Sequence, residues 1–183
     1  VESVINGKLY GKLPDGSSWT LSKAIWHDNM QFNSDINRII AEGIATNKSS
    51  FEIAKALEKY VNGSAKKDFE WSKVYPGTRK VVDYNAQRLA RTMISHAYQQ
   101  TLVRTSAKNP FIEGFIWHTA NSHRVCPICA DMDGNFYSKN ALPLDHPNGM
   151  CYWECVIPDM VDVADRLASW ANGERGSVLS HIS

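Results

Sequence analysis

The sequence contains no apolar run approaching the ~20 residues needed to cross a bilayer. Nothing near its start combines the basic, apolar and cleavage-site segments of a secretory signal. A membrane-spanning or secreted protein is therefore not expected, and synthesis in a cytoplasm is. H-E-x-x-H, G-x-x-x-x-G-K and G-x-S-x-G are all missing, which leaves metalloprotease, nucleotide-hydrolase and esterase chemistry without a foothold. No H-x-E precedes the Cys-Pro-x-Cys, so the proton-shuttling glutamate of a zinc nucleic-acid deaminase is lacking. Net charge is also scarce: 20 Lys and Arg against 19 Asp and Glu leave a formal +1, unlike a dedicated duplex-DNA binder that is basic overall. There is no internal repeat and no low-complexity tract. The first residue is Val1 rather than Met, which points to a piece of something longer or a processed product.

What is present is ordinary globular composition, with 43% hydrophobic and 21% charged residues in 183. That length suits one domain, or a helical body with a small satellite module, able to bury a core without covalent staples. The near-zero charge hides an asymmetry. Between Ser64 and Lys108, Lys66, Lys67, Lys73, Arg79, Lys80, Arg88, Arg91, Arg104 and Lys108 outweigh Asp68, Glu70 and Asp83, while the segment after Cys129 is mostly acidic. A solvated helix surface explains such a run as readily as a phosphate-binding face does. Of the tryptophans, Trp19, Trp26 and Trp71 fit core packing better than a partner surface.

Helical periodicity opens the chain: Ile25, Phe32, Ile36, Ile39, Ile40 and Ile44 predict one helix, or two short ones, from Leu21 to about Thr46. Ser49 and Glu52 are spaced as a capping box for a second helix whose apolar face is Ile53, Ala54, Leu57, Tyr60 and Val61, ending at Gly63. Gly63 to Thr78 reads as a loop. Val82, Ala86, Leu89, Ala90, Met93, Ala97 and Leu102 predict a long helix from about Val81 to Ser106, ended by Asn109-Pro110, with Arg88, Arg91 and His96 on or near its other flank. Beyond Pro110 the texture turns β-like. Phe111 to Trp117 predicts a strand feeding Cys126, with further short strands at 134–138 and 152–157 and a last helix from Pro158 to Asn172 closed by Gly173. The last ten residues read as frayed.

All four cysteines fall in the thirty residues from Cys126 to Cys155. Cys126-Pro127-Ile128-Cys129 is a C-x2-C knuckle that brings two thiolates to one ion at about 2.3 Å each. His146 follows after sixteen residues and Cys151 after four more, completing a set of three thiolates and an imidazole for a closed, structural zinc site. Cys155 is an alternative fourth ligand, with Cys151 preferred, and His123 is an outside candidate. A disulfide fits poorly with a reducing compartment. A redox C-x2-C opens a helix after a strand and brings no downstream His-Cys pair. Asp145-His146-Pro147-Asn148-Gly149 also contains the His and Asn of an HNH-like nuclease, but a ligating His146 cannot serve as general base. Asp131 and Asp133 read as parts of an Asp-Gly turn between strands rather than paired catalytic acids.

Taken together, Arg88-Leu89-Ala90-Arg91-Thr92, Trp117, Cys126-Pro127-Ile128-Cys129, Asp133-Gly134, His146-Pro147-Asn148 and Cys151 resemble the minor head proteins of tailed bacteriophages, the phage Mu F-like head morphogenesis family. The resemblance runs from roughly Trp19 to Pro158. Two positions depart from it: Met93 stands where many members carry Glu, and Gly149 where many carry the first of two cysteines, which leaves Cys151 in register as the ligand. The resemblance implies a non-catalytic virion protein present in few copies in the phage head, assembled in the host cytoplasm. It would be associated with the portal and other head proteins and handle the genome's end. In that setting Lys66, Lys67, Arg79, Lys80, Arg88 and Arg91 would contact double-stranded DNA without reading its sequence. A zinc-supported nuclease and a zinc-finger nucleic-acid-binding protein are the competing readings. The expected fold is α+β: a helical body over 1–109 with a loop near 63–78, a β-rich zinc module over 110–158, and a terminal helix and tail over 159–183. No membrane and no small-molecule substrate are expected.

Overall fold

The computed structural model describes residue 25 and residues 30–73, 76–121 and 125–173. It is an α+β chain: helices come first, small antiparallel sheets follow, and a helix closes the described part. Two compact units are present. The first takes in residues up to Gln100 and the segment Pro143–Met150; the second comprises Thr101–Leu142 and the chain from Cys151. Trp19, Trp26, His123 and the last ten residues lie outside the described part, as does most of the stretch from Leu21 to 29.

In the first unit, helix α1 (Met30–Ala45) packs on α2 (Ser50–Leu57). They cross closely enough that a Cβ on Gly43 would lie 2.5 Å from Ile53 Cγ1. The capping box forms as its spacing predicts: the Glu52 N–H donates to Ser49 Oγ and the Ser49 N–H donates to Glu52 Oε2 at 2.9 Å. Ile36, Ile40, Ile53, Leu57, Val61, Val82, Leu89 and Met93 make one buried cluster. Trp71 joins it edge-on to Phe51 at 5.4 Å, so this tryptophan serves the core.

The stretch expected to be loop holds more order. Strand β1 (Asp68–Glu70) pairs antiparallel with β2 (Val81–Asp83), flanked by 3-10 turns. The long helix, α3 (Tyr84–Ala107), consequently starts later than apolar periodicity suggests. Its start is set by Asp83, whose Oδ1 accepts the N–H groups of Asn85 and Ala86 at 2.8 and 3.0 Å, while Oδ2 accepts the Lys67 N–H at 2.8 Å. A carboxylate at this place satisfies helix-end donors that have no intrahelical partner.

In the second unit β3 (Gly114–His118) lies between β4 (Phe136–Ser138) and β5 (Tyr152–Val156), antiparallel to both. Phe115, Trp117 and Trp153 alternate onto the inner face with Ile112, Cys129 and Cys151, and these six are the buried cluster. Trp117 and Trp153 meet edge to face at 4.8 Å. The C-x2-C follows β3 in the chain, as the aromatic run predicts. It opens a short helix, α4 (Pro127–Met132), and Asp133-Gly134 turns from that helix into β4 rather than joining two strands. Gly134 takes φ +76, a backbone angle open to glycine. The terminal helix α5 (Met160–Ala171) starts at an Asp159 cap, and Gly173 follows it at φ +71.

Candidate metal centre

Cys126 is the N-cap of α4: its Sγ accepts the Cys129 N–H at 3.3 Å, and Pro127 begins the helix where a missing N–H costs nothing. The helical turn places Cys129 inward and fully buried, with Cys126 half-buried beside it. Cys151, immediately before β5, is buried in the same cluster at 8% exposure. All four cysteines are thiols, with no disulfide. A redox C-x2-C also opens a helix, but it needs an accessible thiol whose pKa is lowered. Here burial drives the Cys129 thiol far above its ordinary range, and hydrogen bonding and charge at Cys126 and Cys151 add to the effect. A raised pKa disfavours the thiolate, the form that attacks. A cation among the three sulfurs reverses that preference, because a coordinating thiol is deprotonated outright.

Among the described residues, one sulfur or ring-nitrogen atom from each of Cys126, Cys129 and His146 lies within 4.8 Å of the others, and the sulfurs of Cys129 and Cys151 with a carboxylate oxygen of Asp145 do likewise. Thiolates at about 2.3 Å from a tetrahedral zinc stand roughly 3.8 Å apart. His146 Nδ1 lies 3.3 Å from the Pro147 carbonyl. A proton on Nδ1 donates there and leaves Nε2 free to ligate, which is the usual way a histidine ligand's tautomer is fixed. The buried Cys/His/Asp cluster can thus hold a metal ion, and its donor set suits zinc.

Cys155 falls in neither group. It sits on β5 opposite Phe115, with its sulfur 3.8 Å from Ser106 Oγ. Asp145 is a candidate that spacing alone did not single out. Its carboxylate lies where a side chain at 149 would go: a Cβ on Gly149 would meet Asp145 Oδ1 at 2.1 Å. At the position where the family resemblance expects cysteine, this chain therefore has a glycine with an acid folded over it.

The family model for phage Mu protein F-like proteins matches residues 34–157. The chain belongs to that family. The match runs from within α1 through β5 and takes in every residue of the candidate centre. Phage Mu F-like proteins are associated with phage head morphogenesis and are generally structural. No curated protein and no solved structure matches the chain. No helix among the described residues is long and apolar enough to cross a membrane.

The basic residues are only partly gathered. Lys66, Lys67, Arg79 and Lys80 are exposed, whereas Arg88 and Arg91 are half-buried on α3. Because Asp68 pairs with Asp83 and Glu70 with Val81, the Lys66-Lys67 pair and the Arg79-Lys80 pair flank opposite ends of the β1–β2 ribbon. Lys67 lies over the Tyr84 ring at 5.7 Å and Lys80 over Phe51 at 4.9 Å, the separations of cation–π contacts.

Proposed function

We propose that this chain is a minor head protein of a tailed phage, a non-catalytic virion component that acts with the portal and other head proteins. Its family membership over residues 34–157 carries the reading. Within it, a structural zinc is held by Cys126, Cys129, His146 and Cys151, with Cys155 outside the set. The metal supplies positive charge to three clustered sulfurs and a fixed geometry to the β-rich module over 110–158. The buried state of Cys129 and Cys151 supports this role, since a catalytic zinc keeps an open, water-accessible position. The two basic ends of the ribbon contact the packaged genome through phosphates, which give affinity without sequence preference.

Two measurements test the reading. Elemental analysis of the reduced protein should give one zinc per chain, lost in Cys151→Ser and kept in Cys155→Ser; metal-free wild type overturns the site. Phage carrying the Cys129→Ser allele, viewed by electron microscopy of lysates, should accumulate heads without DNA. Normal yields of filled, infectious heads would overturn the head-assembly role.

A further inference from the structure

Segment 145–149 has no regular secondary structure, yet its backbone is held by α3. Asp145 and Asn148 are engaged by three buried polar side chains, Thr92, His96 and Gln99, whose spacing of four and three places them on one face of that helix. His96 Nε2–H donates to the Asp145 carbonyl at 2.7 Å, and the Asp145 N–H donates to Gln99 Oε1 at 3.4 Å. The Asn148 N–H donates to Thr92 Oγ at 2.8 Å, while the Thr92 hydroxyl gives its own proton to the Arg88 carbonyl at 2.7 Å. Thr92 is therefore locked in orientation by one bond and locks the turn with the other. Between these anchor points lies His146. The turn closes with the Gly149 N–H on the His146 carbonyl at 2.9 Å, with Asn148 in the left-handed region at φ +66. Apolar residues at 92, 96 and 99 would bury as well without fixing a register; satisfied buried polar groups are the device that specifies one arrangement.

We propose that Thr92, His96 and Gln99 are positioning residues for the His146 ligand, presetting its imidazole before metal arrives. The inference rests on the zinc reading above. A pre-set ligand loses less freedom on binding, so the stripe should appear in metal affinity and not only in stability; loss of an outer partner of a ligand lowers affinity by about 10- to 100-fold.

The test is competitive zinc titration against a chromophoric chelator on the full chain. Thr92→Val should weaken zinc by about 10-fold or more, Thr92→Ser should restore near wild-type affinity, and Gln99→Met should give a smaller loss. In a His146→Ala background Thr92→Val should weaken zinc no further, because its effect is routed through that ligand. Cobalt-substituted Thr92→Val should show an altered visible d–d spectrum. A Thr92→Val protein that binds zinc as tightly as wild type, or whose loss persists undiminished in His146→Ala, overturns the positioning role. Should Thr92→Val fail to fold, Gln99→Met and its His146→Ala double variant decide by the same criteria. Wild type that takes up no zinc overturns the metal site itself, a separate failure.

Discussion

Replacing Cys129 by serine changes one atom in the middle of the second unit's core. The sulfur is fully buried among Phe115, Trp117, Trp153 and Cys151, and it belongs to both groups of candidate ligand atoms. Two costs follow. A hydroxyl placed there without a full set of partners costs about 1–3 kcal/mol. Losing the metal removes its linkage contribution, about 4.1 kcal/mol when free zinc stands 1,000-fold above the dissociation constant. A destabilisation of about 5–7 kcal/mol is then expected for zinc-loaded protein. At roughly 4–8 °C per kcal/mol for a folding unit of this size, the transition should fall by on the order of 20 °C or more. The assay is near-ultraviolet circular dichroism during thermal melting, read from the Trp117–Trp153 pair, whose rings lie edge to face at 4.8 Å. Four melts are compared: wild type and Cys129→Ser, each equilibrated with excess zinc or with chelator. Chelator should lower the wild-type transition by the linkage share and leave Cys129→Ser nearly unmoved. A wild-type melt indifferent to prolonged chelation would refute the reasoning, however unstable the variant proved.

Other consequences are open to simpler measurements. Asp83→Ala removes acceptors from three backbone N–H groups and should cost about 2–4 kcal/mol in urea denaturation; Asp83→Asn should lose less. Burial lowers the His96 pKa, the bond to the Asp145 carbonyl opposing it only in part, so the unfolded chain binds the proton more readily than the folded one. Stability should therefore be complete above about pH 6.5 and fall as pH drops below it, by at most about 1.4 kcal/mol per unit from this group. Urea midpoints at pH 7.5 and 5.5, wild type against His96→Asn, check the sign. Changing Lys66, Lys67, Arg79 and Lys80 together to Gln should weaken duplex-DNA binding equally for all sequences and reduce the salt slope by up to about 3.6; an unchanged slope would remove the ribbon from the DNA contact. Gly149→Cys, which restores the residue expected from the family resemblance, should displace the Asp145 carboxylate and lower zinc affinity rather than add a ligand.

Apolar period and cap chemistry made much of this fold readable. Ser49 and Glu52 announced α2 because a capping box is local chemistry. The β4 and β5 segments and α5 stood out between turn residues, and the crowding of cysteines marked the centre. The β1–β2 ribbon is not legible because its strands are three residues each, so the single alternation of Asp68, Phe69 and Glu70 is too short to stand out. α3 starts later than its apolar period predicts because Val82 continues that period, while the decisive donors on Asn85 and Ala86 answer to a single carboxylate. His96 reads as a flank residue when only apolar neighbours are counted. The signal that could have found it is a second stripe, Thr92, His96 and Gln99, running beside Leu89, Met93 and Ala97 at the same helical period. What no spacing reveals is where that stripe's bonds go, since the partners lie 46 to 56 residues away.

The depth of the sulfur ligands bears on timing as much as on strength. Cys129 is wholly shut off from water and Cys151 nearly so, each walled by tryptophan and phenylalanine. Release of an ion from these two sulfurs needs the aromatic wall to part, whereas Cys126 and His146, both half-buried, lie nearer to solvent. Metal would thus enter a folded chain from the half-buried side and be released slowly, when the wall parts. Its isotopic identity, fixed by a pulse of labelled zinc during synthesis, should persist in mature particles through long exposure to unlabelled metal.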